Sequence, residues 1–231
     1  MDLNTAQTQS PPVKKHQNLQ LVPLTTTEHL DDFWEIWREE RGVLWSRKAP
    51  MKTKEEALEF LKWILPKTQE NPEGEMEGSD KFAILLEGVG VGDRPKCVGF
   101  VGTNRPSPEG LEMGYCVNPD YYGNGYATWG VSEFLKIYWN MEERSHIPHL
   151  VAKIDPRNKA SERIISKVGG RKGEVLEKFY SRRIDEGKLS DIRCWYLDRP
   201  GVGGERKGEG EGEDKWMGNL RYGEKEVMKL T

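Results

Sequence analysis

The chain has 231 residues, with 35 Lys and Arg against 38 Asp and Glu, a formal net charge of −3 and 32% charged residues. That length favours one domain with tails, able to bury roughly 70% of the surface its unfolded chain exposes. The near-balanced charge gives no reason to expect a nucleic-acid partner. Cys97, Cys116 and Cys194 lack metal-ligand spacing, and the four histidines do not cluster with them, so neither a metal site nor a disulfide framework is expected. The N-terminus has no secretory core, and no apolar run approaches the ~20 residues that span a bilayer. With cysteines read as reduced, buried and structural, the expectation is a soluble cytoplasmic or nuclear protein without membrane contact.

Residues 1–17 are polar, contain Pro11-Pro12, and read as a disordered leader. LQLVPLT (19–25) reads as a first strand. A helix follows as far as Glu40, with Thr26 or Thr27 as N-cap and acidic residues in its first turn. Leu30, Phe33, Trp34 and Trp37 repeat at helical spacing, a stripe better explained by core packing than by a ligand. A second helix is expected over 52–65, with Ala57, Leu58, Leu61 and Ile64 on one face and Pro66 ending it. After a Glu- and Gly-rich loop (67–80), strands are expected over 81–87 and 96–105, joined as a hairpin, and over 111–120, stopped by Asn118 and Pro119. A helix over 126–143, a strand over 149–155 and a helix over 158–170 follow, the last with Gly169 as C-cap. Residues 173–185 and 189–199 read as long antiparallel strands turning near Glu186-Gly187. The expected order is βααβββαβαββ, giving one domain over 18–199 and a flexible Gly/Glu/Lys-rich tail over 200–231.

The stretch YYGNGYAT (121–128) places two glycines where a strand hands over to a helix. The first amides of a helix lack intrahelical partners and carry the positive end of its dipole, so they suit a phosphate. Gly123 and Gly125 could let the backbone approach such a ligand at positive φ, with small Ala127 beneath. Alone, the spacing favours a plain turn. A P-loop would need Gly-Lys followed by Ser or Thr, and a dinucleotide fingerprint would need glycine in place of Thr128.

Residues 112–135, taken with 155–170, resemble the cofactor half of the GNAT superfamily of N-acetyltransferases. Within it they are similar to the branch containing the bacterial ribosomal-protein N-terminal acetyltransferases. Gly125 and Ala127 match the second half of that superfamily's pyrophosphate loop. Tyr122 takes its Arg/Gln place, and Asn158 with Ser161 matches the second signature. The resemblance spans roughly residues 19–198. It implies an α/β fold: a mixed, mostly antiparallel sheet of six to seven strands, a central splayed parallel pair at 111–118 and 149–155, and about four helices. It also implies acetyl-CoA as co-substrate and no metal. The pantetheine would pair with backbone near Tyr115, Cys116 and Val117 as an added strand. The pyrophosphate would lie on the amides of Gly123, Asn124, Gly125, Tyr126, Ala127 and Thr128, with Tyr122 and Asn158 beside it. The implied activity is acetyl transfer to a primary amine by direct attack. The alternative is a non-catalytic acyl-CoA-binding or interaction module, and monomer and homodimer both stay open.

Acetyl transfer needs a base for the ammonium, a donor for the oxyanion and a proton for the thiolate. Glu112 stands where many family members hold a carboxylate. Strand alternation puts it with Gly114 and Cys116, opposite Leu111, Met113, Tyr115 and Val117, facing either the acceptor cleft or solvent. The Val117 amide is the candidate oxyanion donor. Ser161 is the candidate proton donor, with helix capping as its other reading. The tyrosine that many relatives place seven residues past the signature Asn is Ile165 here, while Tyr121, Tyr126 and Tyr180 lack positional support. The acceptor half is expected from the first two helices, the 67–80 loop and the C-terminal strands. Trp34, Trp37, Trp45 and Phe60 could form an apolar mouth or core, and Glu35, Glu39 and Glu40 could attract an amine or meet water. A protein N-terminus, a polyamine, an amino acid and an aminoglycoside-like molecule all remain open as acceptors.

Overall fold

A computed structural model describes residues 18–201 apart from 69–70, 73, 75–78 and 93. The expected leader, the tail beyond Gly201 and part of the 67–80 loop lie outside the described residues. The strands are β1 (Leu19–Pro23), β2 (Lys81–Leu86), β3 (Lys96–Ser107), β4 (Gly110–Val117), β5 (His149–Ile154), β6 (Arg171–Ser181) and β7 (Leu189–Asp198). The helices are α1 (Thr26–Trp37), α2 (Glu40–Val43), α3 (Lys54–Ile64), α4 (Tyr126–Asn140) and α5 (Lys159–Lys167).

One seven-stranded sheet runs in the order β1-β2-β3-β4-β5-β7-β6. Every neighbouring pair is antiparallel except β4–β5. Helices cover both faces, as amphipathic elements flanking a sheet must. On one side Phe33 and Ile36 of α1 and Ala57, Leu61 and Ile64 of α3 pack over Ala83, Cys97 and Phe100. On the other, Val131, Phe134 and Tyr138 of α4 and Ile165 of α5 pack over Val101, Met113, Leu150 and Ala152. The aromatic stripe of α1 is core: Phe33 lies 5.3 Å from Phe100 between ring centroids. Gly130 lets α4 sit down on the sheet, since a Cβ there would come within 2.4 Å of Ile84 Cδ1.

Several boundaries differ from the sequence expectation for local reasons. Thr25, one residue earlier than expected, caps α1 by accepting the Glu28 amide at 3.2 Å. That helix stops at Trp37 because Glu39 turns extended (φ −93°, ψ 132°), and the short α2 begins afresh. Arg41 of α2 then binds Asp120 at 2.8 Å, and Glu40 pairs with Arg183. Likewise α4 ends at Asn140, where Met141 becomes extended. The strand expected to reach residue 185 ends at Ser181, and a 3-10 turn spans Arg183–Asp185. The cysteines are free, with Cys97 and Cys194 buried and Cys116 only partly so.

Candidate active site

The sheet opens at its one parallel junction. β4 and β5 are in register only at Leu111↔Leu150 and Glu112↔Val151. Beyond that point β5 stays paired with β7, from His149↔Asp198 to Ile154↔Arg193. β4 stays paired with β3 as far as Gly99↔Val117. The two strands therefore diverge past Glu112, which among the described residues leaves one lateral edge of β4 without a strand neighbour. Backbone groups alternate sides along a strand. The Asn118 amide donates to Val98 O at 2.8 Å, on the β3 side. The amides and carbonyls of Val117 and Tyr115 accordingly face the gap, while those of Cys116 face β3.

The glycine turn stands at the end of this edge. Asn118 Oδ1 accepts the Asp120 amide at 3.1 Å, starting a 3-10 turn over Pro119–Tyr121. Gly123 and Gly125 then take φ of +81° and +82°, the left-handed region in which side chains are strained. Asn124 pins the loop by donating its amide nitrogen to Tyr121 O at 3.1 Å. The first bond into the helix runs from the Trp129 amide to Gly125 O at 3.0 Å. Among the described residues, no acceptor stands against the amides of Gly123, Asn124, Gly125, Ala127 and Thr128. Residues 122–125 are exposed. Gly123 has nothing within 4 Å of where a Cβ would be, so its turn opens onto free space. Below it Tyr121, Tyr126, Ala127 and Trp129 pack on Leu19, Ile84 and Val117. The Tyr122 hydroxyl lies 3.5 Å from Arg41 O.

The second signature lies across the gap. Asn158 caps α5, its Oδ1 accepting the Ser161 amide at 3.1 Å. The cap is thus made by the Asn side chain and the Ser backbone. Ser161 itself is half-buried. The Tyr115 hydroxyl donates to Ser161 O at 3.3 Å, tying β4 to the first turn of α5. Burial holds that phenol protonated, pushed up to about 12 with only partial relief from its bond at Ser161. Sequence reading gave Tyr115 a backbone role only. Its alternation onto the α5 side was the available signal.

Glu112 sits at the vertex of the opening, on the face opposite Tyr115, as alternation requires. It is 13% exposed and is a paired carboxylate: Lys153 Nζ stands 2.9 Å from Oε1, and Arg105 Nε 3.5 Å from Oε2. Lys153, 10% exposed, also binds Glu109 at 2.7 Å. Burial pulls the Lys153 ammonium down, but bonds and charge from Glu109 and Glu112 more than offset this and leave it raised. These partners were not foreseen, since only the β4–β5 register brings residues 112 and 153 together.

The three glutamates that the sequence offered as attracting an amine or meeting water are all in ion pairs. Glu35 is bound to Lys96 at 2.5 Å and Glu39 to Arg41 at 2.8 Å, and Glu40 pairs with Arg183. Trp34, Trp37 and Phe60 belong to the core. Trp45 instead stacks near Arg182, whose guanidinium carbon lies 5.9 Å from its ring. Among the described residues no group of three His, Cys, Asp or Glu is placed to hold a metal ion, and no helix is long and apolar enough to cross a membrane.

A divergent parallel pair ending in an amide-lined glycine turn defines a class of acetyltransferase-like α/β domains. A family model described as the acetyltransferase (GNAT) domain matches residues 18–171. The chain belongs to that family. Solved structures with the same fold include RimL, a ribosomal L7/L12 alpha-N-protein acetyltransferase in complex with coenzyme A (TM-score 0.62, 14% identity, 79% of this chain and 94% of that one). A GNAT-family acetyltransferase from Bacillus anthracis is similar (TM-score 0.59, 18% identity, 79% and 96% covered). So is a spermidine N-acetyltransferase SpeG chimera from Vibrio cholerae and hSSAT (TM-score 0.59, 12% identity, 80% and 98% covered). The comparison with curated proteins finds no match.

Proposed function

We propose that the protein transfers an acetyl group from acetyl-CoA to a primary amine by direct attack of the amine on the thioester. The observation that carries this reading is the opened β4 edge running straight into the glycine turn. An elongated ligand with amides along its stem and a diphosphate at its end fits both parts at once. Tyr115 and Val117 offer backbone groups for the stem, as an added strand would use them, with Cys116 beside them in the same strand. The turn from Gly123 through Asn124, Gly125, Tyr126, Ala127 and Thr128 offers helix-start amides for the diphosphate, with Tyr122 and Asn158 at its rims.

The acyl donor supplies an activated carbonyl and a thiolate leaving group. The chain's own residues do the rest. Glu112 takes the proton from the acceptor ammonium, which must displace Lys153 to reach it. The Val117 amide donates to the carbonyl oxygen as negative charge develops there. A hydroxyl on the α5 side, that of Ser161 or of Tyr115, returns a proton to the sulfur.

A second reading, an acyl-CoA binder without turnover, has its own support. Glu112 is already paired, and the position of the family's usual tyrosine is Ile165, fully buried in the core. Calorimetric titration with acetyl-CoA, CoA and ATP, followed by thiol release over a panel of amines, separates the outcomes. The expected result is uptake of the first two ligands, none of ATP, and thiol release above background with at least one amine. No uptake of either coenzyme form removes both readings. Uptake without release by any amine leaves the binder.

A further inference from the structure

The acceptor side of the opening carries an unspent positive charge. Tyr180, near the end of β6, is flanked by two guanidiniums: Arg47 at 5.3 Å and Arg182 at 5.0 Å from its ring centroid. Next to it in β6, Phe179 carries Lys153 Nζ 5.0 Å from its ring centroid, and Lys153 in turn holds Glu112 at 2.9 Å, so this end of β6 lies beside the opening. The arginines here differ in their partners. Arg182 is 4% exposed and satisfied by Asp155 at 2.5 Å and Trp45 O at 3.2 Å. Arg105 is 62% exposed, and its one carboxylate partner among the described residues is Glu112, at 3.5 Å, which is already closer to Lys153. Arg47 is exposed, and among the described residues it has no hydrogen-bond acceptor and no carboxylate partner.

We infer that the amine acceptor carries a carboxylate close to its amino group, and that Arg47 holds this carboxylate while the amine reaches Glu112. This rests on the acetyltransferase reading for the direction in which the amine points. A purely cationic acceptor such as a polyamine would meet exposed Arg47 and Arg105 beside a Glu112 already held by Lys153, a like-charge approach that opposes binding. A carboxylate matches the planar donor fork of arginine and forms charge-assisted hydrogen bonds with it. Tyr180 stacks beneath the Arg47 guanidinium and limits where that fork can point.

The test titrates the full chain, with and without saturating CoA, using matched acceptors that differ only in the carboxylate. One pair is a free amino acid and its C-terminal amide. The other is a short peptide whose second residue is Asp, against the same peptide with Asn. Spermidine is the cationic control. At least one carboxylate member is expected to bind about tenfold tighter than its amide twin, the size of a lost charge-assisted bond. In Arg47→Gln that advantage should fall below about threefold, with CoA affinity unchanged, since the side chain is exposed and supports nothing internal. Preference within the first pair alone identifies a small amino acid, and within the second alone a peptide N-terminus. Equal affinity within both pairs, no acceptor binding, tighter binding of spermidine, or an advantage that survives Arg47→Gln each overturns the inference. Loss of CoA uptake by the wild-type chain would instead strike the acetyltransferase reading, and is read in the same titration.

Discussion

At the scale of single residues, two buried lysines define the chemistry of the opening and the stability around it. Lys153 occupies Glu112 at 2.9 Å, so in the proposed reaction an incoming ammonium has to take its place before Glu112 can act as the base. Glu112→Gln keeps the shape and removes proton acceptance. Turnover should fall by about a hundredfold, the lower range for loss of a general base, while acetyl-CoA binding is retained. An unchanged pH–rate profile and kcat in the variant would exclude Glu112 as the base. Lys81 is a separate case. It is 8% exposed and bonds to Thr103 O and Asn104 Oδ1. Burial brings it down to about 7, with only partial relief from Asp80. The folded value lies below that of the unfolded chain. Between these values the unfolded chain therefore binds the extra proton, and stability rises with pH from near 7 towards 10.5. Lys81→Met should flatten that rise when urea unfolding is compared at about pH 7 and about pH 9.5. An equal slope in both proteins would remove the assignment.

At the scale of elements, the glycine turn is where sequence and structure agree most fully, because its signals are local. Asn118-Pro119 ends a strand, Gly123 and Gly125 permit positive φ, and a helix begins at once. Asn158 was likewise legible as a cap, since capping needs only a short-range match of side chain to amide. The occupants of the opening were less legible. Residues 105, 112 and 153 lie on three strands, and only register brings them together. The partners of Glu35 and Glu40 were hidden in the same way, since Lys96 and Arg183 come from distant segments. The turn itself gives a sharp expectation. Gly125→Ala forces a Cβ into φ of +82°, costing about 1 kcal/mol of backbone strain. If the turn seats the diphosphate, coenzyme affinity should fall by more than stability does, because relaxation of φ misaligns the helix-start amides. Affinity unchanged beside a lowered Tm would make the turn structural only.

At the scale of the whole molecule, the proposed acceptor half depends on a chain segment beyond the residues that the family model matches. Tyr180 and Arg182 belong to the β6 region, past residue 171, and a buried charge network fastens them to the rest. Asp155, 2% exposed at the end of β5, receives Arg182 at 2.5 Å and Arg157 at 2.6 Å. Arg157 continues to Asp185 at 2.8 Å, and Ser190 donates to the same carboxylate at 2.7 Å. Arg182 Nε reaches Trp45 O at 3.2 Å, joining the loop after α2. Burial alone would raise the Asp155 carboxyl, but bonds from Arg157 and the charge of Arg182 bring it below the usual range. A carboxyl depressed on folding stabilises the protein above its unfolded value of 3.8, and that contribution is lost as pH falls through the folded value. Asp155→Asn leaves the Arg182 guanidinium buried without its anion, so at neutral pH it should cost about 3–5 kcal/mol. The penalty should shrink on acidification, because the wild-type carboxyl is then protonated too. Urea unfolding of both proteins at about pH 7 and about pH 3 measures the difference directly. A penalty of the same size at both pH values would mean that Asp155 acts through packing, and the charge network would not be what holds this segment in place.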